Sequence, residues 1–237
     1  MSFDHGKAIH TIEDAMQLLD DVIPMRVAWE PFYAAGKRKP PFLQNIPDEN
    51  LVEYCAEGRI EFDRAIDLGC GIGRNAIYLA KRGGRVEALD LSGTAIAKAR
   101  SLADQEALDI TFTVGSVFGV EWAPAYFDFA YDSGLMHHLQ PHRRPYYLEK
   151  IRRMLKPEGH LGMTCFGPEA APTTADSVIY ESGEMPPGIG YSEGRLRAIL
   201  KPYFEILQFR PMQEMSNDSG LFGMKEMWAI LMKPRAL

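Results

Sequence analysis

Residues 64–75, Arg-Ala-Ile-Asp-Leu-Gly-Cys-Gly-Ile-Gly-Arg-Asn, constrain the fold of this chain more than any other segment. The apolar run at 64–69 predicts a buried strand, and the residues after it predict a tight turn followed by a helix. Glycines alternate in the turn, at Gly69, Gly71 and Gly73. Their missing Cβ atoms allow unusual backbone angles and let a ligand approach the main chain. A strand, a glycine turn and a helix in this order are typical of α/β proteins that bind an adenosine-containing cofactor.

Beyond this turn, short β-rich runs alternate with helical patterns. Such alternation is typical of a parallel sheet with helices on its two faces. Strands are predicted at 64–69, 85–90, 110–115, 127–132, 160–166, 204–210 and 225–232. Helices are predicted at 73–82, 92–108, 141–155 and 192–201, with Ser92 as the N-cap of the second. The last two strands follow each other without an obvious helix between them, so we expect them to pair antiparallel. The predicted fold class is therefore α/β with a seven-stranded sheet.

Two segments do not follow this alternation of strands and helices. Residues 1–60 predict a largely helical N-terminal cap with a proline-rich break at Lys39-Pro-Pro41. Residues 167–191 are rich in proline and glycine, and a loop of that length in a compact domain is unusual unless it is functional or disordered. We therefore predict one domain over residues 1–237, in which a cofactor-binding core at 61–166 precedes a substrate loop at 167–191 and a C-terminal helix and strand pair at 192–237.

The composition excludes several classes of protein. The formal net charge of −6 argues against nucleic acid as a partner, because non-specific affinity for phosphates comes chiefly from lysine and arginine. No run approaches the roughly 18 apolar residues of a membrane span, and the first residues lack the apolar core of a signal peptide. Cys55, Cys70 and Cys165 are odd in number and widely spaced, so neither a disulfide framework nor a zinc cluster is expected. These features predict a cytoplasmic protein without membrane segments.

Two cofactors fit the spacing of the glycine turn. Gly71-x-Gly73-x-x-Ala76 satisfies the dinucleotide fingerprint, and Asp90 lies at a suitable distance to hold a ribose. An NAD-dependent oxidoreductase is therefore one hypothesis. Asp67 favours another cofactor, because a carboxylate beside a diphosphate would be repelled. S-adenosylmethionine carries an ammonium and a sulfonium and no pyrophosphate, so a carboxylate near it is electrostatically favourable.

With these motifs the chain resembles the class I S-adenosylmethionine-dependent methyltransferases over most of residues 60–166. Asp67-Leu-Gly-Cys-Gly-Ile-Gly73 is similar to their first motif, and Ala88-Leu-Asp-Leu-Ser92 is similar to their second. Phe127-Asp-Phe-Ala-Tyr-Asp132 is similar to their fourth motif, and Leu155-Lys-Pro-Glu-Gly159 to the turn before their fifth strand. The resemblance implies the strand order 3-2-1-4-5-7-6, with strand 7 antiparallel and helices on both faces.

The resemblance also implies roles for residues around the glycine turn. Asp90 would accept hydrogen bonds from both ribose hydroxyls, since a carboxylate is acceptor-only and has two oxygens. The alternative is that it caps the next helix. Asp67 would meet the methionine amino end of the cofactor directly or through water, or else only order the turn. Gly69, Gly71 and Gly73 would face the cofactor.

The end of the third predicted strand departs from the family pattern. Many members carry an acid there that meets the adenine amino group, whereas this chain has Val114-Gly-Ser-Val117. We expect Ser116 to accept that hydrogen bond more weakly, and the backbone of Ser116 and Val117 to frame the ring. Leu91 is a candidate to cover a face of the adenine, with packing in the core as the alternative.

The start of the first helix is similar to a branch of the family that acts on small molecules, including tellurite-resistance and thiopurine methyltransferases. Arg74, followed by Asn75, is a candidate to bind the cofactor carboxylate bidentately, with an exposed position on the helix as the alternative. In that branch an N-terminal segment covers the cofactor. Trp29-Glu-Pro-Phe-Tyr33, beginning with Trp29, is therefore predicted either as a lid over the site or as a helix packed on the sheet.

Asp132-Ser-Gly-Leu-Met-His-His-Leu139 follows the fourth predicted strand. The resemblance places the methionine half of the cofactor and the acceptor atom there, which makes Asp132 a candidate cofactor contact. Methyl transfer is an in-line displacement, so alignment and removal of the acceptor's proton are the main contributions of the enzyme. His137 or His138 is a candidate base, because histidine titrates near neutrality.

Three other patterns have structural alternatives. His138, His142 and Asp132 can be drawn as a metal site, but Pro141 interrupts the helix that would align the histidines, so no metal is predicted. Four arginines predict the solvated face of a helix: Arg143, Arg144, Arg152 and Arg153. Four late methionines predict either core filling or a methionine-lined acceptor pocket: Met212, Met215, Met224 and Met227.

Together these features predict a methyltransferase that binds S-adenosylmethionine at the carboxyl ends of the first, second and fourth strands. The acceptor is expected between residues 26–45, the loop after the fourth strand and the loop at 167–191. A small-molecule acceptor is expected, because the chain is short and acidic and lacks the Asn-Pro-Pro-Tyr type motif of nucleic-acid enzymes after the fourth strand. A non-catalytic cofactor-binding protein of the same fold remains an alternative beside the oxidoreductase.

Overall fold

The computed structural model describes residues 8–25, 27–35, 41–216 and 218–236. At its centre lies one seven-stranded sheet with the order β3-β2-β1-β4-β5-β7-β6. The strands are β1 (Arg64–Leu68), β2 (Arg85–Asp90), β3 (Ile110–Val114), β4 (Phe127–Ser133), β5 (Leu155–Phe166), β6 (Phe204–Pro211) and β7 (Met227–Pro234). Strands β1 to β5 pair in parallel, and β7 runs antiparallel to both β5 and β6. The predicted strand order and the antiparallel final pair are confirmed.

Helices cover both faces of this sheet. They are α1 (Ile12–Val22), α2 (Trp29–Ala34), α3 (Glu49–Ala56), α4 (Arg74–Lys81), α5 (Gly93–Gln105), α6 (Arg143–Met154), α7 (Asp176–Ser182) and α8 (Glu193–Leu200). Short 3₁₀ turns lie at Pro41–Leu43 and Met136–His138. Successive residues of a strand point to opposite faces. Accordingly Ala65 packs in one buried cluster and Ile66 in another, so each face of the sheet has its own core.

The local signals explain where most elements begin. Ser92 caps α5, because its hydroxyl accepts a hydrogen bond from the amide of Ala95 at 3.1 Å. The helix predicted from Pro141 starts instead at Arg143, whose amide bonds to the carbonyl of Gln140 in a tighter turn. The prediction for the fifth strand was also too short, because Leu155 already pairs with Phe127 before the ladder is interrupted.

Two of the four arginines of α6 contradict the prediction of a solvated face, whereas Arg153 is exposed as expected and Arg152 is partly buried. Arg143 and Arg144 are buried, with 4% and 3% exposure. Arg143 forms ion pairs with Glu13 and Asp20 of α1, and Arg144 pairs with Asp176 at the start of α7. A buried guanidinium needs such partners. These two side chains therefore fasten the outer helices α1 and α7 to the sheet domain.

The segments outside the core are more regular than the sequence indicated. Residues 167–191, predicted as a loop, contain α7. Of the predicted break at Lys39-Pro-Pro41, the first two residues lie outside the described residues, as do residues 1–7 at the start of the chain. Cys55, Cys70 and Cys165 are free and buried. In the described part of the chain, no helix is both long enough and apolar enough to span a membrane.

Candidate functional site

A cavity of about 400 Å³ opens where β1, β2, β3 and β4 end. The loops after these strands form its floor, as expected for ligand sites of open α/β sheets. Two other parts of the chain supply the walls. The N-terminal segment contributes Asp20, Met25, Trp29, Tyr33 and Phe42. The region between β6 and β7 contributes Phe222 and Met224, and the start of β7 contributes Met227.

At each glycine of the turn after β1, a different neighbour would be too close to an added Cβ atom. Gly69 has φ +70° and borders the cavity, and a Cβ there would lie 3.2 Å from Cβ of Leu135. Gly71 has φ +54°, and a Cβ would come within 2.6 Å of the hydroxyl of Tyr33. At Gly73 a Cβ would approach Ala99 of α5 to 3.0 Å. Only Gly69 is among the cavity-lining residues, so the cofactor-facing role of the other two stays a prediction.

Replacing Gly71 by alanine is expected to weaken binding of S-adenosylhomocysteine and to lower the melting temperature. Strain at positive φ costs about 1–2 kcal/mol, and the added Cβ must also displace Tyr33 from its place above the turn. Gly58→Ala is the matched control, because Gly58 has φ +65° and nothing within 4 Å of a built Cβ. Calorimetry and thermal unfolding of both variants measure the difference. Equal effects of the two changes on binding and stability would show that the contact with Tyr33 contributes nothing.

Asp90, at the end of β2, lies on the cavity wall and is oriented by two main-chain amides. One oxygen accepts from Gly71 N at 2.9 Å and the other from Ser92 N at 2.9 Å. Burial raises its pKa, and the nearby charge of Glu30 acts in the same direction. A carboxylate has room for further hydrogen bonds beyond these two. The position fits the predicted ribose contact, and Ser92, rather than Asp90, caps α5 by its side chain.

The residues predicted around the adenine also reach the cavity. Leu91, Ser116 and Val117 all line it, and Leu91 is 45% exposed rather than packed in the core. The hydroxyl of Ser116 accepts from the amide of Phe118 at 3.2 Å, which occupies part of its hydrogen-bonding capacity.

Asp67 is almost completely buried, with 1% exposure, and does not line the cavity. One oxygen accepts from the amide of Ala76 in the first turn of α4, at 3.0 Å. The other oxygen has no hydrogen-bond partner among the described residues. Burial raises the pKa of Asp67 to about 7 although the guanidinium of Arg74 opposes this. Asp67 thus orders the glycine turn through one oxygen, and its other oxygen can still accept a hydrogen bond.

Arg74 is buried on the cavity wall rather than exposed on its helix. Its guanidinium contacts Asp48 Oδ1 at 2.5 Å, donates to Ser133 Oγ at 2.8 Å, and lies over the ring of Phe222. The guanidinium therefore stands between the glycine turn and the loop after β4. This position is compatible with the predicted contact to a cofactor carboxylate.

Asp48, in front of α3, is a functional candidate that the sequence did not reveal. It is fully buried, and its Oδ2 accepts from Tyr131 Oη at 2.8 Å and from Ser133 Oγ at 2.7 Å. Asn75 bonds to Asp48 through both its amide atoms and does not line the cavity. The signal was weak, because a Pro-Asp pair before a helix is ordinary capping chemistry. Asp48 joins the N-terminal cap to the cavity wall.

Asp132 likewise faces the core instead of the cavity. Its two oxygens accept from the amides of Leu135 and Met136 and from the hydroxyl of Tyr147. Burial raises its pKa to about 6. Asp132 therefore orders the 3₁₀ turn that carries the two histidines, and a direct cofactor contact stays a prediction.

The two histidines have different environments although both line the cavity. His137 stacks on Phe166 with centroids 3.6 Å apart, and its Nδ1 accepts from the amide of Phe166. His138 contacts the carbonyl oxygen of Pro187 through Nδ1 at 2.6 Å. Because a carbonyl only accepts, Nδ1 of His138 carries the proton and Nε2 keeps its lone pair. Burial lowers the pKa of His137 well below the ordinary value and that of His138 to about 4, so both rings are neutral at pH 7.

The side chains of the alternative metal site have separate partners. His142 bonds to Asp20 and Tyr180, whereas His138 bonds to Pro187. Asp132 is engaged in the core. No group of three or more histidine, cysteine or acidic side chains in the described ranges is placed to hold a metal ion.

The cavity wall is partly apolar, and its residues agree only in part with the predicted acceptor site. Met224 and Met227 line it, in agreement with a methionine-lined pocket, whereas Met212 is buried in a small cluster with Phe222. No residue of 167–191 lines the cavity. That segment instead supports the histidines from behind, through the carbonyl of Pro187 and the amide of Ile189, which bonds to the carbonyl of His137.

Helix α2 covers the cavity rather than packing on the sheet. Trp29 and Tyr33 line the cavity, and Trp29 meets the ring of His138 edge to face at 4.8 Å between centroids. Glu30 fastens the helix by accepting from Ser92 Oγ at 2.6 Å and from the amide of Thr94 at 3.2 Å. A carboxylate at the N-terminus of α5 is also favoured by the helix dipole.

Comparisons with known proteins agree with this geometry. Residues 65–159 match the family model described as a methyltransferase domain. The chain is 28% identical over 183 residues to the 2-heptyl-1-hydroxyquinolin-4(1H)-one methyltransferase of Mycobacteroides abscessus, covering 77% of this chain and 76% of the relative. The fold of this chain resembles that of the 1,6-didemethyltoxoflavin-N1-methyltransferase of Burkholderia thailandensis, with a TM-score of 0.60 and 19% identity. The match covers 97% of this chain and 93% of the other. The fold also resembles TehB of Haemophilus influenzae, with TM-score 0.60, 18% identity and coverage of 87% and 67%.

Proposed function

Because the chain is a class I S-adenosylmethionine-dependent methyltransferase, we propose that it methylates a small, planar and mainly apolar molecule at an ionisable hydroxyl, thiol or ring N–H group. The observation that carries this proposal is the apolar part of the cavity wall, where Trp29 and Phe166 contact the histidine pair. The apolar part consists of Trp29, Phe42, Phe166, Phe222, Met224 and Met227. Aromatic and methionine side chains favour flat apolar ligands. The relative from M. abscessus, named for a hydroxyquinolone, supports the same acceptor class.

The residues of the cavity fit S-adenosylmethionine, which would supply an electrophilic methyl group on a sulfonium. We assign the ribose to Asp90, the approach of the cofactor to the main chain to Gly69, and the methionine carboxylate to Arg74. The unpartnered oxygen of Asp67 is available to the ammonium, directly or through a water molecule. The oxidoreductase hypothesis has no comparable support, because residues 65–159 match the model of a methyltransferase domain and a carboxylate beside a diphosphate would repel it.

Of the two histidines, we assign the base to His138. The bond from Nδ1–H to the carbonyl of Pro187 fixes the ring, which lines the cavity, and leaves the lone pair of Nε2 free to accept a proton. Bound S-adenosylmethionine would supply the methyl group to the acceptor atom and would leave as the neutral thioether, with the electron pair of the broken carbon–sulfur bond on sulfur. Nε2 of His138 would take the proton that the acceptor loses. His137 is excluded from this role at Nδ1, which accepts from the main chain.

An acceptor panel tests the proposal. The purified protein is incubated with S-adenosylmethionine labelled in the methyl group and with 4-hydroxyquinoline, thiophenol, guanidinoacetate or transfer RNA. We expect label in the two planar apolar compounds and S-adenosylhomocysteine in equal amount. Transfer to guanidinoacetate or to RNA, with none to the planar compounds, would overturn the assignment of the acceptor class.

A further inference from the structure

Two carboxylates, Asp20 and Asp90, line the cavity among the described residues. Asp90 belongs to the core of the fold, whereas Asp20 comes from α1 in the N-terminal segment. The side chain of Asp20 is 33% exposed, so one side of it faces the open space. Since a carboxylate only accepts and has about four lone-pair sites, Asp20 can accept a further hydrogen bond from whatever occupies the cavity beside it.

Two side chains hold Asp20 in place: Arg143, the first residue of α6, and His142, which precedes it. Arg143 donates to both its oxygens, with Nη2 2.5 Å from Oδ2 and Nε 3.1 Å from Oδ1. His142 Nε2 lies 2.9 Å from Oδ1. The carboxylate is therefore preorganised at the cavity wall, in the manner of a residue that binds a ligand.

The position of Asp20 along the cavity follows from Arg143. The guanidinium carbon of Arg143 lies over the ring of Phe118, 5.1 Å from its centroid. Phe118 comes directly after Ser116 and Val117, which form the cavity wall after β3. Asp20 thus stands at the end of the cavity formed by the β3 loop, where β3 itself ends in Val114-Gly-Ser without an acid. Arg74 and Ser133 mark a different part of the wall, near the glycine turn.

We propose that Asp20 accepts a hydrogen bond from the exocyclic amino group of adenine. The cofactor offers three kinds of donor: the ribose hydroxyls, the ammonium and this amino group. Asp90 stands beside the glycine turn for the first, and the region of Asp67 and Arg74 serves the methionine half. Ser116 is a weaker candidate for the amino group, because a hydrogen bond to a neutral hydroxyl is weaker than one to a carboxylate. The inference rests on cofactor binding and not on the identity of the acceptor.

The test compares S-adenosylhomocysteine with S-inosylhomocysteine, in which a carbonyl oxygen replaces the amino group. We expect the wild-type protein to bind the adenosine compound more tightly, because a carboxylate facing a carbonyl leaves two acceptors without a donor. Asp20→Asn supplies an amide that can accept from the amino group or donate to the carbonyl. The ratio of the two dissociation constants should therefore fall by about tenfold or more.

Two variants separate this effect from others. Glu13→Gln changes the second acid that pairs with Arg143 but does not line the cavity, so it loosens α1 without touching the ligand. It should leave the ratio unchanged, as should Ser116→Ala. An unchanged ratio in Asp20→Asn, or a lost ratio in Ser116→Ala, would overturn the inference. Failure of the wild-type protein to bind S-adenosylhomocysteine at all would instead count against cofactor binding itself.

Discussion

Replacing His138 by alanine is expected to lower kcat for methyl transfer by about 10²- to 10⁴-fold, the usual contribution of a general base. The variant removes the Nε2 lone pair, and no other described residue has been assigned to take the acceptor's proton. Single-turnover rates with saturating S-adenosylmethionine and 4-hydroxyquinoline measure the loss. Affinity for S-adenosylhomocysteine should change little, because the assigned cofactor contacts lie elsewhere in the cavity.

The pH dependence gives the same experiment a second readout. Burial lowers the pKa of His138 to about 4, so the imidazole stays neutral from pH 8 down to about 5. The base is lost only as the pH falls towards 4, where the ring takes up a proton. The rate attributed to His138 should therefore stay constant across that range and decline below it. A rate that already halves near pH 6.5, the ordinary value for histidine, would contradict the assigned environment.

A matched control for His138 is His160→Ala, since His160 is half-buried in β5 and does not line the cavity. It should retain the wild-type kcat. If His138→Ala raises KM and leaves kcat unchanged, His138 forms part of the acceptor wall and is not the base.

Asp48→Ala is expected to reduce the free energy of unfolding by about 3–5 kcal/mol, the cost of leaving a buried charge without its partner. Arg74, with 6% exposure, would lose the carboxylate that lies 2.5 Å from its Nη1. The hydroxyls of Tyr131 and Ser133 would lose their acceptor as well. Urea unfolding monitored by circular dichroism and tryptophan fluorescence measures the change.

The double variant Asp48→Ala with Arg74→Met provides the control. Methionine fills part of the space of the arginine without a charge, so the double variant should be more stable than Asp48→Ala alone. Additive losses would show that the two side chains do not stabilise each other. A single-variant loss below about 1 kcal/mol would contradict the charge burial on which the prediction depends.

The sheet could be predicted because its signals are local. Apolar runs, the glycines at 69, 71 and 73, and the cap at Ser92 each specify an element from a few neighbouring residues, and the order of elements then restricts the topology. Asp90, Leu91, Ser116 and Val117 follow directly from strand ends, and the structure places all four on the cavity.

The incorrect or missed features depend on contacts between distant parts of the chain. Arg143 looked solvated because its partners Glu13 and Asp20 lie more than a hundred residues earlier in the sequence. Asp20 and Asp48 carry no motif, and their importance arises only when the N-terminal segment folds over the cavity. The contribution of Phe222 to the cavity wall was missed for the same reason, since residues 222–227 reach the cavity through the pairing of β7 with β5.

The segment at 167–191 meets the histidines through main-chain atoms, the carbonyl of Pro187 and the amide of Ile189. Any amino acid supplies a carbonyl, so selection on catalysis constrains few side chains there. Glycines are the exception, because a Cβ at Gly188 would lie 2.8 Å from the ring of Phe166, and one at Gly190 would lie 2.0 Å from the carbonyl oxygen of Ala171. In the evolution of related enzymes this segment is therefore expected to diverge rapidly around these retained glycines, while the chemistry beside it is inherited unchanged.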